Sequence, residues 1–147
     1  MDVGQQRSVA NVDIWVGEEM NESKSVEELC SELDAIPEDN DSRTPLLIEL
    51  LGRGGHERHE DIVFELGLIG CSAAVDAVAK AAADPFPYLE EWGNLHEFQR
   101  KCAYALARIG TDESRAKLDL LAKDPDPYLR EYGEEGLSYW PLPFRSR

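Results

Sequence analysis

The phrase DPFPYLEEWG at residues 84–93 returns as DPDPYLREYG at residues 124–133, an offset of 40 with seven of ten positions identical. An eighth position pairs Trp92 with Tyr132. A chain that repeats at such a period is restricted to a stack of similar units, each leaving an apolar face for the next to cover. The match extends well past the phrase. Sliding residues 58–93 onto 98–133 sets Ile62, Val63, Leu66 and Ile69 on Cys102, Ala103, Leu106 and Ile109. That spacing is one apolar stripe along a helix. Gly70 and Gly110 follow the stripes, and glycine accepts the left-handed conformation that ends a helix. Val78 and Ala82, matched by Leu118 and Ala122, mark a second helix in each copy. Both second helices run into the Asp-Pro-x-Pro phrase, where Asp126 is placed to cap the next helix and Pro127 to open it.

An earlier unit follows the same plan more loosely. Ser25-Val26-Glu27-Glu28 reads as a capping box ahead of Leu29, Leu33 and Ile36, and Thr44-Pro45 opens a helix carrying Leu46, Leu47, Leu50 and Leu51. Helices are expected near 25–36, 44–52, 57–69, 72–83, 87–109 (broken), 112–123 and 127–139. The expected fold is all-α, a short α-solenoid of about three helix pairs. Residues 1–24 form a separate extended, acidic segment in this reading, and 25–147 the repeat domain, with units near 25–52, 57–83 and 87–123 and a terminal helix at 127–139. Within the first segment, Asn11-Val12-Asp13-Ile14-Trp15-Val16-Gly17 alternates like a short strand. The tail Tyr139-Trp140-Pro141-Leu142-Pro143-Phe144 is expected to cover the open end of the stack.

Charge narrows the partners. The formal net charge is −15, and residues 1–43 alone hold 12 acids against 3 bases. Such a charge repels nucleic acid and anionic membranes and attracts basic proteins. No apolar run approaches the ~20 residues of a membrane span, and no basic-then-apolar leader opens the chain, so a cytoplasmic location is expected. Cys30, Cys71 and Cys102 are an odd number with no CxxC spacing, which points to buried thiols rather than disulfides or zinc.

The run Ala105-Leu106-Ala107-Arg108-Ile109-Gly110, then Leu118, Leu121 and Asp124-Pro125-Asp126-Pro127-Tyr128-Leu129-Arg130, resembles HEAT-like repeats of the phycobilisome-lyase type. The resemblance covers roughly 57–140 well and 25–52 loosely. It implies HEAT-like helix pairs and, for function, an interaction scaffold. Two features depart from it. About nine residues are surplus between Asp84 and Gly110, near Glu90-Glu91-Trp92-Gly93-Asn94-Leu95-His96-Glu97, either as a loop on a binding face or as a long helix kinked at Gly93. The other is the N-terminal phrase: Ile14-Trp15-Val16-Gly17, ahead of Ser25-Val26-Glu27-Glu28-Leu29, resembles the opening of some bacterial immunity proteins.

Chemistry is sparse. His56-Glu57-Arg58-His59-Glu60 is the sharpest candidate, because the deoxyhypusine hydroxylases, also built from HEAT-like repeats, hold a di-iron centre on His-Glu pairs. His59-Glu60 has the register that such a pair would need, but His96-Glu97 does not, and Gln99 stands in its place. Two pairs are present where that family uses four, so no metal or other cofactor is expected. No nucleophile motif or phosphate loop appears, Gly52-Arg53-Gly54-Gly55 lacking the lysine and the preceding strand. The expected function is therefore non-enzymatic: an acidic immunity or antitoxin-type inhibitor that binds and neutralises one basic toxin protein, a nuclease being one such partner. The alternatives are a metal-dependent or lyase-type accessory enzyme using the His-Glu pairs, and an adaptor in a larger assembly. Partner-binding residues are expected among the aromatics and acids of the surplus segment and last repeat: Tyr88, Glu90, Glu91, Trp92, Glu97, Asp119, Tyr128, Glu131, Tyr132, Glu134 and Glu135. Aromatic anchors ringed by acids suit a basic surface.

Overall fold

A computed structural model describes residues 24–142, and the possible strand at 11–17 and Phe144 of the tail lie outside the described residues. The described chain is all-helical, with eight α-helices packed against one another. They are α1 (Val26–Asp34), α2 (Arg43–Leu51), α3 (His59–Ile69), α4 (Val75–Ala82, after a 3₁₀ turn at Ser72–Ala74), α5 (Pro87–Trp92), α6 (Leu95–Ile109), α7 (Asp112–Ala122) and α8 (Pro127–Tyr139).

Local chemistry sets most boundaries. The Ser25 hydroxyl accepts the Glu28 N–H at 3.0 Å while the Glu28 carboxylate accepts the Ser25 N–H at 2.8 Å, so two otherwise orphaned donors are satisfied reciprocally. Thr111 and Ser114 do the same for α7. Asp126 accepts the Tyr128 N–H at 2.8 Å ahead of Pro127. Gly70 and Gly110 end α3 and α6 at φ 72° and 70°.

The surplus segment is neither a long loop nor one kinked helix. It makes α5, ended by a Schellman motif: Gly93 at φ 76° donates to the Glu90 carbonyl, and Asn94 donates to that of Leu89 at 2.8 Å. These bonds satisfy the last carbonyls of α5 and release α6 in a new direction.

Helix α3 packs on α6 and α6 on α8, while α2 packs on α4 and α4 on α7. Contacts between α2 and α3, α4 and α6, and α7 and α8 join the two sets. One contiguous core results, with Leu50, Val63, Leu66, Val78, Leu89, Phe98, Leu106 and Leu118 fully buried. Each such side chain contributes roughly 1.5–3 kcal/mol by leaving water. Of the three cysteines only Cys102 is buried; Cys30, on α1, and Cys71, in the extended residue before the 3₁₀ turn, are half-buried.

One charged side chain is drawn into this core. Arg43, 8% exposed, donates to the Leu33 and Ile36 carbonyls at 2.9 and 2.8 Å and forms a two-pronged pair with Glu65 at 2.6 and 2.9 Å. It thereby closes the C-terminal end of α1 and ties it to α3. At the other end, the tail folds back over the α6–α7 turn. The Trp140 indole N–H donates to the Thr111 carbonyl and the Ser114 hydroxyl, both at 3.2 Å, and Leu142 donates to the Ala107 carbonyl at 2.9 Å.

The repeated phrase has two outcomes. Gly93 ends a helix with nothing near a would-be Cβ, whereas Gly133 lies inside α8, where a Cβ would come within 2.4 Å of the Ala122 nitrogen and 2.7 Å of the Leu121 carbonyl carbon. Gly133 is therefore required for the close approach of α8 to the end of α7. Gly133→Ala should destabilise the protein by about 2–3 kcal/mol, since the backbone obstacle outweighs alanine's better helix propensity. Gly93→Ala should cost only about 1–2 kcal/mol, the penalty of a left-handed non-glycine residue. Urea unfolding of both variants measures the difference, and an equal loss at the two positions would contradict it.

Candidate functional site

The N-terminal ends of α3, α6 and α8, together with α5, carry a concentration of aromatic rings, imidazoles and acids. Its innermost member is His59, the first residue of α3, which is fully buried. Its Nε2 lies 2.8 Å from the Arg53 carbonyl and its Nδ1 2.8 Å from the Tyr88 hydroxyl. A carbonyl only accepts, so Nε2 carries the proton and Nδ1 accepts from Tyr88. The ring stacks on His56 at 4.1 Å and on Phe86 at 4.0 Å, with Phe98 edge-on. His56 repeats the arrangement, donating from Nε2 to the Leu50 carbonyl at 2.7 Å and accepting the Arg58 N–H on Nδ1 at 3.1 Å.

Both imidazoles are therefore neutral. Burial disfavours their charged forms, holding His56 below the usual histidine range and pulling His59 down to about 4. Burial likewise pushes the Tyr88 phenol up. Tyr88 hands this order outward: Trp92 stands edge-on to its ring at 5.0 Å and is 52% exposed. Glu90 and Glu91 are exposed on the same short helix.

Forty residues later the pattern recurs with different contacts. His96 is the counterpart of His56, Glu97 of Glu57, Tyr128 of Tyr88, and Tyr132 of Trp92, but Gln99 replaces His59. The His96 Nδ1 donates to the Gln99 side-chain oxygen at 2.9 Å, and its ring lies flat on Tyr128 with centroids 3.6 Å apart. Tyr128 is 47% exposed. Tyr132 is half-buried, with burial and then the charge of Glu131 raising its pKa, and Tyr128 and Glu97 also acting on it. Glu97, Glu131 and Glu134 are exposed.

Two expected residues stand apart. Glu135 accepts from Arg100 at 2.8 Å and from the Tyr104 hydroxyl at 2.6 Å. The Arg100 bond chiefly holds its carboxyl low, and the bond to Glu135 pushes Tyr104 up to about 12. Asp119 belongs to α7 and is half-buried; no contact gathers it with the others. The remaining nine fall on α5, the start of α6 and α8. Among the described residues, none of Glu90, Glu91, Glu97, Glu131 and Glu134 forms an ion pair.

No family model, curated protein or solved structure matches this chain. What the arrangement can do rests on its geometry alone.

That geometry engages both nitrogens of His59, leaving no lone pair for a metal, and no group of three His, Cys, Asp or Glu placed to hold one occurs among the described residues. A groove of about 230 Å³ between α3 and α6, bordered by Phe64 and Tyr104, is flanked by the pairs Lys101–Glu60 and Arg100–Glu135, so its charge is internally balanced. Sequence reasoning passed over the Phe64–Tyr104 correspondence at the same offset of 40. It also compared His96-Glu97 with His59-Glu60, whereas the pair at the repeat offset is His56-Glu57. The offset itself was the signal that finds both.

The buried imidazole carries a pH prediction. His59 has a folded pKa of about 4 against an ordinary value of 6.5, so the unfolded chain binds the extra proton first as pH falls. The stability it contributes is complete above pH 6.5 and is lost as pH drops towards 4, by about 3 kcal/mol. His59→Gln, which borrows the residue of the second copy, should flatten the decline of the unfolding free energy between pH 6.5 and 4. An unchanged slope would show that His59 protonates freely in the folded state.

Proposed function

We propose that the chain is a non-enzymatic protein-binding module, a short HEAT-like solenoid whose rim of helix N-termini receives one basic protein. Helices α3, α6 and α8 contacting in order, alongside α2, α4 and α7 contacting in order, support the solenoid reading, since stacked pairs produce two such rows. The observation that carries the function is exposed Trp92 and Tyr128 on the same elements as Glu90, Glu91, Glu97, Glu131 and Glu134, five exposed carboxylates that form no ion pair among the described residues. Rings held by buried or stacked imidazoles are anchors that lose little freedom on binding. Unpaired acids speed the approach of a cationic surface and repel an anionic one. Within this class the reading favoured is an immunity or antitoxin-type inhibitor acting on a basic toxin. A nuclease fits best by chemistry, because a surface evolved to hold a polyanion also attracts a rim of carboxylates.

The test is capture of partners from lysate of the source cell, followed by kinetics with the retained protein. A single basic protein should bind in a fixed ratio, with an association rate that falls by about tenfold or more between low and physiological salt. Glu90→Gln/Glu91→Gln/Glu131→Gln should slow association, and Trp92→Ala should mainly speed dissociation. A partner that is neutral or acidic, or that binds the charge variant as fast as the parent chain, would sink the proposal.

A further inference from the structure

The two copies of the rim differ in one way that identifies a ligand. In the second copy, the His96 ring covers the Tyr128 ring face to face at 3.6 Å, beside Glu97. In the first copy the corresponding imidazole, His56, is drawn instead onto His59 at 4.1 Å. That shift leaves a crevice lined by Gly55, His56, Glu57 and Tyr88. Gln99, which has no ring for His96 to stack on, accounts for the difference. The second copy therefore displays the kind of group its tyrosine accepts: planar, nitrogen-bearing and seated next to a glutamate.

In the first copy no ring among the described residues lies flat on Tyr88, His59 being tilted against it at 5.6 Å. Its Tyr88 keeps Trp92 edge-on at 5.0 Å, and the charges of Glu60, Glu57 and Asp61 act on its phenol. Glu57 is exposed and, among the described residues, forms no ion pair. A flat cation that stacks on the ring and donates to a carboxylate matches both features. The guanidinium of arginine does so; the compact ammonium of lysine offers the charge without the plane. We propose that the crevice between His56 and Tyr88 seats an arginine side chain of the basic partner, stacked on Tyr88 and paired with Glu57. This rests on the reading that the rim binds a basic protein, and it names the contact that orients that protein. The site at His96 and Tyr128 is the same design with its seat already filled.

The experiment is a titration of the ¹⁵N-labelled full chain at low salt with tetra-arginine amide and, separately, tetra-lysine amide, followed by amide and indole resonances. Trp92→Phe identifies the Trp92 indole signal. The arginine peptide should shift Gly55, His56, Glu57, Tyr88 and the Trp92 indole most, and bind about threefold or more tightly than the lysine peptide. Glu57→Gln should weaken the arginine peptide by about threefold and abolish the preference. Glu113→Gln, an exposed acid on α7, should leave both unchanged. Shifts spread along the acids of α8, equal binding of the two peptides, or equal effects of Glu57→Gln and Glu113→Gln would overturn the arginine seat while leaving a basic partner in place. If neither peptide binds anywhere on the chain, both readings are overturned.

Discussion

Close approach around α6 is the constraint on which the remaining packing depends. This helix is buried on most sides, meeting α3, α4, α5, α7 and α8. A helix so enclosed cannot present large side chains in every direction without forcing its neighbours apart. It presents Ala103 and Ala105 where backbones cross, and its neighbours answer with glycine. A Cβ on Gly67 of α3 would stand 3.2 Å from Ala105, and one on Gly136 of α8 would stand 3.2 Å from the Ala103 carbonyl oxygen and 2.6 Å from Leu118. These crossings fix α3 and α8 on either side of α6. They thereby set His59 near the Phe98 ring and Tyr128 on His96. The rim is thus a consequence of small residues in the middle of the helices, not of anything at the rim itself. Cys102 sits inside the same enclosure, where burial pushes its thiol well up and keeps it protonated.

Polar groups enter this packing only where every partner is supplied. Arg43 reaches two helix-end carbonyls and both oxygens of Glu65, which offsets the cost of bringing a guanidinium out of water. His59 spends one nitrogen on a carbonyl and the other on Tyr88. That second bond gives the repeated phrase a meaning beyond punctuation. The phrase ends one helix and starts another, and its tyrosine also fastens the new helix to the head of an earlier one. With Gln99 in place of His59 the fastening changes to a stack, and the phrase remains compatible with both.

Helix positions were legible in the sequence because they depend on neighbours in the chain. Apolar spacing marks α3 and α6, Ser25 and Glu28 announce the start of α1, and Gly70 and Gly110 announce the ends of α3 and α6. What resisted reading depends on residues far away in the chain. Gly93 and Gly133 occupy one position of one phrase, yet the first adopts a left-handed turn and the second makes room for Ala122. Only the crossing of α7 and α8 distinguishes them. The aromatic residues of the phrase were legible as a recurring set. That Tyr88 binds a histidine 29 positions earlier required the fold, whereas the match of His96 to His56 was present in the offset of 40. Glu135 looked equivalent to Glu134 in the sequence, but Arg100 and Tyr104 occupy it and Glu134 stays exposed.

The division of the carboxylates explains how an acidic chain can hold its shape and still keep a reactive surface. Five of the twelve bases in the described residues tie parts of the fold together: Arg43 to Glu65, Arg58 to Asp34, Arg100 to Glu135, Lys101 to Glu60 and Lys117 to Asp76. Each of these joins two helices, apart from the loop-borne Arg58, which ties the start of α3 to the end of α1. None of these five pairs involves Glu90, Glu91, Glu97, Glu131 or Glu134, and like charges among these exposed acids repel one another. Helix N-termini soften that repulsion, because their unpaired N–H groups place partial positive charge beneath the acids of the first turns. Trp92 and Tyr128 stand exposed among these acids. Scaffold and rim thus differ in one respect: the acids that tie helices together are matched by bases, whereas Glu90, Glu91, Glu97, Glu131 and Glu134 form no ion pair among the described residues.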